Sequence, residues 1–157
     1  MKQFASYDES PIGLLKIITT NTHVISIDCC NQYEECSSND LSEKAVLELT
    51  EYFTGTRSSF DLPLELIGTS FQQKVWKKIS EIPYGTTWSY QQVTEEIGNK
   101  NGVRAVANSI SKNPLLIVVP CHRVIGKNGT LTGFRVGIDK KEYLLQLEKV
   151  DKLDKST

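Results

Sequence analysis

Long hydrophobic runs and an apolar leader are both absent from this sequence of 157 residues. No apolar stretch approaches the roughly 18 residues that span a bilayer, and the start, MKQFASYDES, lacks the apolar core of a secretory signal. These absences argue against export and against a membrane partner. We therefore expect a cytoplasmic globular protein, and in that reducing compartment its four cysteines should be free thiols.

Acidic residues are missing from the interval between Glu96 and Asp139. That interval contains six bases: Lys100, Arg104, Lys112, Arg123, Lys127 and Arg135. Residues 1–66, by contrast, carry eleven acids against four bases, so the net charge of −1 conceals a strong asymmetry. The distribution favours an anionic partner for the second half of the chain, although by charge alone a solvated surface is as good an interpretation.

A standard zinc-ligand spacing is missing as well. Cys29, Cys30 and Cys36 follow His23 closely in sequence, but their separations match no usual ligand set. We predict partly buried thiols at these positions and no metal.

Strand-like alternation marks the first part of the chain. LLKIITT (14–20) and HVISIDC (23–29) predict a β-hairpin, and SFDLPLEL (59–66) predicts another strand. Between them, Ala45, Leu49 and Phe53 share one helix face before Gly55. Residues 1–66 are therefore predicted to form a small α+β module.

Helix signals dominate the second part. Capping-box patterns begin at Thr69, Ser70 and Ser89, and Pro83 and Gly98 are the corresponding stops. A further helix is predicted over residues 102–111, with buried positions at Val103, Val106, Ala107 and Ile110. Two short helices joined by a glycine-containing turn resemble a helix-turn-helix, although such pairs also occur in proteins that do not bind DNA.

Cys121 follows the apolar run LLIVV (115–119) and Pro120, so we expect it where a core strand meets a loop. A cysteine attacks as the thiolate and needs a base. His122 is the obvious base, but neighbours on an extended chain point to opposite sides, which makes a bridging water plausible. Three acids are candidates to orient the imidazole: Glu81, Glu142 and Glu148. A buried structural thiol is the alternative.

NPLLIVVPCHRVIG, with LTGF downstream and LLQLE near the end, resembles the active-site signature of the alkylguanine-DNA alkyltransferases. YGTTWSYQQV and VRAVANSI fall at that family's spacing, so the resemblance covers roughly residues 69–150. It implies an α+β fold, with a ribonuclease-H-like module (1–66) and a mainly helical domain with a winged helix-turn-helix (67–150). It also implies a monomeric DNA repair protein that needs no cofactor. The charged last residues, DKLDKST (151–157), predict a disordered tail.

The resemblance further implies the chemistry. The alkyl group of O6-alkylguanine, or of O4-methylthymine, in double-stranded DNA would pass irreversibly to Cys121. His122 would deprotonate the thiol through a water, Glu148 would orient His122, Asn113 would brace the site, and Tyr90 would donate a hydrogen bond to the purine.

Nucleic-acid contacts are implied in the same way. Arg104 would fill the space of a base flipped through the minor groove, and the other DNA contacts would be Ala105, Asn108, Ser109, Arg123 and Tyr90. The residues around the substrate would be Val124, Phe134, Arg135, Val136 and Leu116. Because Arg135 and Val136 stand where relatives commonly have small residues, we predict a narrow pocket mouth that favours methyl over benzyl adducts, unless Arg135 turns to a DNA phosphate.

Two other functions fit parts of the sequence. A non-catalytic lesion-binding module would share the helix pair and the pocket, but alkyltransferase-like proteins of that kind lack the cysteine that Cys121 supplies. A cysteine hydrolase would use Cys121 and His122 but needs an oxyanion hole, and no glycine-rich donor loop precedes the cysteine.

Overall fold

The computed structural model describes residues 2–98, 102–131 and 133–149. The chain divides into two compact units. The first comprises the residues up to Ile67 together with Pro114–Leu116, and the second comprises Gly68–Asn113 and the chain from Ile117 onward. The predicted disordered tail, residues 151–157, lies outside the described residues.

The first unit is built on a three-stranded antiparallel sheet with the order β1-β2-β3. Its strands are β1 (Phe4–Ser10), β2 (Gly13–Thr19) and β3 (Val24–Cys29), which confirms the predicted hairpin. Alternate residues of β2, such as Leu15 and Ile17, are completely buried, because successive side chains of a strand point to opposite faces.

One helix, α1 (Asp40–Phe53), packs on this sheet, as the helical spacing of its apolar residues predicted. Asn39 caps its first turn by accepting the N–H of Ser42. Ala45 and Leu49 are completely buried, and Gly55 takes a positive φ of 81° just beyond the helix. Glycine adopts this left-handed conformation at little energetic cost because it has no Cβ, and a residue in this conformation ends a helix.

The strand predicted over residues 59–66 is wrong. Among residues 59–66, which the structure describes in full, only Leu64 forms a bridge, to Val24. Val24 donates its N–H to the Pro63 carbonyl, and Glu65 donates to the Val24 carbonyl. Pro63 has no N–H to donate, so the ladder cannot extend from Leu64 towards residue 59.

The second unit is mainly helical. Its helices are α2 (Ser70–Ile79), α3 (Tyr90–Glu96), α4 (Gly102–Ser111) and α5 (Ile138–Leu147), and a two-residue parallel pair joins β4 (Trp88–Ser89) to β5 (Val124–Ile125). The α+β class is therefore confirmed. Thr69 and Ser89 cap α2 and α3 as predicted, by accepting the N–H groups of Gln72 and Gln92.

Helix α4 packs on α2 and α3 through part of the predicted face. Val106 and Ile110 are buried, but Val103 is 37% exposed, so its predicted burial is wrong. The Trp76 indole of α2 donates to the Ser109 carbonyl of α4 at 2.8 Å. This bond holds the Ser109 side of α4 against α2, and the opposite side of α4, with Arg104 and Asn108, is exposed.

The apolar run before Cys121 is buried as expected, but it is not a strand. Leu115 makes one isolated bridge to Ile27, after which the chain turns and Ile117 takes a positive φ of 73°. The Asn113 side chain donates to the Val119 carbonyl at 2.8 Å. This buried carbonyl is therefore hydrogen-bonded by a side chain, whereas in a strand it would accept from the backbone of a neighbouring strand. Cys121 therefore begins a 3-10 turn, Cys121–Arg123, instead of ending a strand.

Across residues 2–98, 102–131 and 133–149, no helix combines the length and the hydropathy that crossing a membrane requires.

Candidate active site around Cys121

The Cys121 thiol is almost enclosed, since the residue is only 5% exposed. Burial raises its pKa, while a hydrogen bond from Asn113 and the charges of Lys141 and Arg135 act in the opposite direction. Burial dominates, so the resting group is the protonated thiol. A base must remove the proton before Cys121 can attack.

Glu148 lies at the C-terminal end of α5, at the centre of a buried ion cluster. One of its oxygens, Oε2, accepts a hydrogen bond from His122 Nε2 at 2.7 Å. The Arg123 guanidinium donates two hydrogen bonds to the same carboxylate, from Nε to Oε1 at 2.8 Å and from Nη2 to Oε2 at 3.0 Å. Burial raises the pKa of Glu148, but the bonds from His122 and Arg123 outweigh it and lower the pKa to about 2, so the carboxylate is charged at neutral pH.

His122 is the middle residue of the turn that begins at Cys121, and it is completely buried. Burial lowers its pKa, and the bond to Glu148 only partly opposes that effect, so the ring is neutral at pH 7. An ionised carboxylate can only accept, so the ring proton is on Nε2 and the lone pair is on Nδ1. His122 Nδ1 is buried and has no hydrogen-bond partner among the described residues, which leaves it able to take a proton.

Of the three acids that the sequence left open, the geometry selects Glu148. Glu81 is exposed and pairs with Lys78 at 3.3 Å. Glu148, in contrast, is in direct contact with the His122 ring. This contact supports the orienting role predicted for Glu148.

Lys141 is a residue that sequence reasoning missed. It is completely buried on α5, donates to the Val124 carbonyl at 2.6 Å, and lies 5.7 Å from the centre of the Tyr90 ring. Burial lowers its pKa to about 8. The signal that could have found it is helical spacing, since Lys141, Leu144, Leu145 and Glu148 lie at i, i+3, i+4 and i+7 on the inward face.

A cleft of about 570 Å³ lies beside α3 and α4. Its lining includes Ser89, Tyr90, Val103, Ala107, Ser111 and Lys127. Tyr90 stands at this cleft, with its hydroxyl donating to the Gly133 carbonyl at 3.4 Å. Cys121 does not line the cleft, and Lys141, in contact with both Val124 and the Tyr90 ring, connects the two parts of the site.

The five residues predicted around the substrate all lie within the described ranges, and none lines this cleft. Val124 and Phe134 are buried, and Leu116 groups with the first unit, where its N–H donates to Ile27. Arg135 donates hydrogen bonds to the carbonyl of Ser111, the last residue of α4, and to that of Asn113 just beyond it, and Val136 is half-buried. Their contact with an alkyl group stays a prediction.

The residues predicted to contact DNA separate into two groups. Arg104 and Asn108 are exposed on α4, and Ala105 is half-buried beside them. Tyr90 stands at the cleft, and the remaining two residues, Ser109 and Arg123, are buried, so their contact with DNA stays a prediction. Ser109 is 4% exposed and faces Trp76, and Arg123 is buried with its guanidinium bonded to Glu148 and to the Ile82 carbonyl.

The four cysteines are free thiols, as predicted. Cys29 and Cys30 are half-buried and Cys36 is exposed, which distinguishes all three from the enclosed Cys121. Within the described ranges, no three or more histidine, cysteine or acidic residues are grouped so that they could hold a metal ion.

The fold and the site together define a class of protein: a two-unit α+β chain with a buried cysteine, a histidine bonded to a buried glutamate, and a helix pair in its second unit. Comparison with known families makes the class specific. Residues 4–66 match the ribonuclease-like domain of 6-O-methylguanine DNA methyltransferase, and residues 70–150 match the DNA-binding domain of the same protein. The chain belongs to the 6-O-methylguanine DNA methyltransferase family.

Individual relatives agree with this assignment. The methylated-DNA–protein-cysteine methyltransferase of Mycolicibacterium paratuberculosis is 42% identical over 147 residues, which cover 90% of this chain and 89% of that protein. The inducible enzyme of that name from Bacillus subtilis is 50% identical over 111 residues, 71% of this chain and 62% of the relative.

A solved structure with a similar fold is the crystal structure of Mycobacterium tuberculosis OGT in complex with DNA. It is 40% identical to this chain, with a TM-score of 0.83 and coverage of 91% of this chain and 92% of that one.

Proposed function

We propose that this protein repairs alkylated DNA by transferring the alkyl group from O6 of guanine to Sγ of Cys121. The observation that carries the proposal is the position of Cys121 on a turn whose next residue, His122, is bonded to a buried, ionised Glu148. Family membership supports it.

The reaction is a displacement at a saturated carbon. The Cys121 thiolate forms the S–C bond as the C–O bond breaks, the electron pair goes to the guanine O6, and a proton restores guanine. No tetrahedral intermediate forms, so no oxyanion hole is needed. The thioether has no bond that water cleaves readily, so each protein molecule acts once and needs no cofactor.

The proton path follows from the ring assignment of His122. Its Nδ1 takes the thiol proton, directly or through one water, and the resulting imidazolium is stabilised by the Glu148 carboxylate. Arg123 holds the carboxylate in place through two hydrogen bonds. Asn113, bonded to the thiol, braces Cys121.

Tyr90 would act on the leaving group. Its hydroxyl stands at the cleft beside α3 and α4 and would donate to the purine as negative charge develops on O6. Lys141, near the Tyr90 ring and the thiol, favours negative charge at this end of the site.

We propose that DNA docks through the α3–α4 pair by its minor groove. Arg104, exposed on α4, would occupy the space of the flipped base, with Asn108 and Ala105 beside it. Flipping costs a few kcal/mol, which contacts between phosphates and basic side chains offset. The same pocket would accept O4-methylthymine. We also propose that the protein acts as a cytoplasmic monomer, where its thiols stay reduced.

Mass spectrometry tests this proposal. Intact protein mixed with an oligonucleotide that contains O6-methylguanine should gain one methyl group, located on Cys121 by peptide mapping. A cysteine hydrolase would show no stable adduct, and a lesion-binding module would bind the oligonucleotide without any change in mass. A methyl group found on Cys29, Cys30 or Cys36 would contradict the assignment of Cys121.

A further inference from the structure

Arg135 makes contacts that neither of its predicted roles, at the pocket mouth or on a phosphate, requires. Its guanidinium donates from Nε to the Ser111 carbonyl at 3.2 Å and from Nη2 to the Asn113 carbonyl at 3.1 Å. Helix α4 ends at Ser111, and its last carbonyls need partners from outside the helix. A cation at this end also interacts favourably with the helix dipole.

Asn113, whose carbonyl accepts a hydrogen bond from Arg135, also positions the Cys121 thiol. Asn113 is buried, its side chain donates to the Val119 carbonyl at 2.8 Å, and it is hydrogen-bonded to the Cys121 thiol. Any displacement of the Asn113 backbone would therefore move the group that holds Cys121.

The other end of the contact is the segment 133–137. Gly133 accepts the Tyr90 hydroxyl and lines the cleft, and Phe134 is buried. The positive φ angles of this segment fall on Gly133 (57°) and Gly137 (122°), so Arg135 sits between two glycines where the backbone can turn without a Cβ penalty. The buried Phe134 and the bond from the Gly137 N–H to the Phe134 carbonyl hold this segment locally, and the guanidinium contacts tie it to Asn113 and to the end of α4.

We propose that Arg135 is a positioning residue for alkyl transfer, which bridges the end of α4 to Asn113 and so fixes both the Cys121 thiol and the Tyr90 side of the cleft. The inference rests on the proposed function of Cys121 as the alkyl acceptor. Because the two carbonyls are held by one planar group, lysine cannot replace arginine here: an ammonium group is a point charge and not a fork.

The test compares Arg135→Lys and Arg135→Ala with a matched control, Lys77→Ala, which removes an exposed cation from the last turn of another helix, α2. Two rates are measured for each protein: single-turnover methyl transfer at saturating O6-methylguanine DNA, and alkylation of Cys121 by iodoacetamide without DNA. DNA affinity is measured in a Cys121→Ser background, and thermal unfolding checks the fold.

Both Arg135 variants should lower both rates roughly tenfold, the order expected for a lost charged hydrogen bond, with unchanged DNA affinity, while Lys77→Ala behaves as the unmodified protein. The pH profiles should separate charge from geometry. The cations that act on the thiol are Lys141 and Arg135, and the neighbouring titratable ring, His122, is bonded to the Glu148 carboxylate. Arg135→Ala removes a positive charge, so the pH at which the alkylation rate begins to rise should be higher than in the unmodified protein. Arg135→Lys keeps the charge, so the rate should rise at the same pH as in the unmodified protein but reach a lower maximum.

The contrary outcomes are distinct. Rates equal to the unmodified protein in Arg135→Lys would overturn the proposal, and so would a loss confined to DNA affinity, which would place Arg135 on a phosphate. If Arg135→Ala does not fold, Arg135→Lys decides. If the unmodified protein takes iodoacetamide on Cys121 but no methyl group from DNA, the proposed function fails, and the iodoacetamide rates still decide the role of Arg135.

Discussion

Each of the two units contains a glutamate that is only 2% exposed, and the two carboxylates have different surroundings. In the first unit, Glu48 accepts the Asp61 N–H at 2.8 Å and has Arg57 at 3.6 Å and Lys44 at 3.8 Å. Both cations reach solvent, with side chains 28% and 45% exposed. Glu48 therefore ties α1 to the segment that follows it.

In the second unit, Glu148 is bonded to partners that are themselves buried, and one of them is a titratable ring with an unpartnered nitrogen. The difference shows that a buried, paired carboxylate does not by itself mark a catalytic site. What distinguishes Glu148 is that its partner His122 keeps a lone pair on the side away from the carboxylate, next to a thiol-bearing residue.

The largest effect separates the cysteines of the two units. Cys121→Ser should abolish methyl transfer while leaving DNA binding unchanged, because a serine hydroxyl remains protonated where a thiol can ionise. Cys29→Ser and Cys36→Ser, in the first unit, should transfer at the normal rate. Assays of methyl transfer from methylated oligonucleotides measure these rates. A methyl adduct that still forms in Cys121→Ser would contradict Cys121 as the methyl acceptor.

The second prediction compares the two buried glutamates directly. Glu148→Gln should slow methyl transfer about 100-fold, the low end of what a misplaced base costs, with little change in DNA affinity. Glu48→Gln should leave the transfer rate unchanged, since Glu48 contacts no reacting group. Single-turnover rates measure both variants, and equal rates for the two would remove the distinction drawn here.

The third prediction concerns stability and pH. Glu148 has a pKa of about 2 in the folded protein, against an ordinary value of 4.5. Its ionised form therefore stabilises the fold above pH 4.5, and about 3 kcal/mol of that stability is lost as the pH falls towards 2. Urea unfolding at several pH values should show this loss, and Glu148→Gln should lack it. An exposed control, Glu81→Gln, should keep the loss, and identical slopes in all three proteins would contradict the ion cluster.

A smaller effect is expected at the surface of α4. Arg104→Ala should weaken binding to methylguanine DNA about tenfold, because nothing would then fill the space of the flipped base. Unlike Glu148→Gln, it should leave the transfer rate of the bound complex nearly unchanged. Separate binding and transfer assays measure the two variants, and indistinguishable profiles would mean that the two residues do not have separate roles.

The smallest effect concerns adduct size. The protein should react well with O6-methylguanine and poorly with free benzylguanine, and Val136→Gly should improve the relative benzyl rate a few-fold by removing bulk from the segment 133–137. The measurement is the ratio of the second-order rates for the two substrates. An unmodified protein that takes benzylguanine readily, or an unchanged ratio in the variant, would rule the steric argument out.

Local patterns were sufficient for much of this fold. The hairpin, α1 and the caps of α2 and α3 depend on side-chain periodicity and on residues a few positions apart, such as Thr69 and Gln72. The Pro-Cys-His-Arg sequence likewise indicated Cys121 as the candidate nucleophile, with His122 beside it. These features are encoded within short segments, so a single sequence reveals them.

Contacts between distant residues account for the errors. The resemblance implied that Arg123 contacts DNA, but in the structure its partner Glu148, 25 residues away, brings the guanidinium inside. The run 115–119 has the composition of a strand, yet a side-chain bond from Asn113 holds it in a turn. The Arg135 contacts with the end of α4 were missed for the same reason, since local spacing does not show them. Lys141 was missed although its spacing with Leu144, Leu145 and Glu148 marks the inward face of α5.

The central claim is that Cys121 is consumed by one alkyl transfer. The most direct measurement challenges a known amount of active protein with an excess of O6-methylguanine DNA and counts the guanine restored. We predict that the yield rises to one guanine per protein molecule and stops, with S-methylcysteine at position 121. Continued production of guanine beyond one equivalent would contradict the account, because it would mean that the thiol is regenerated.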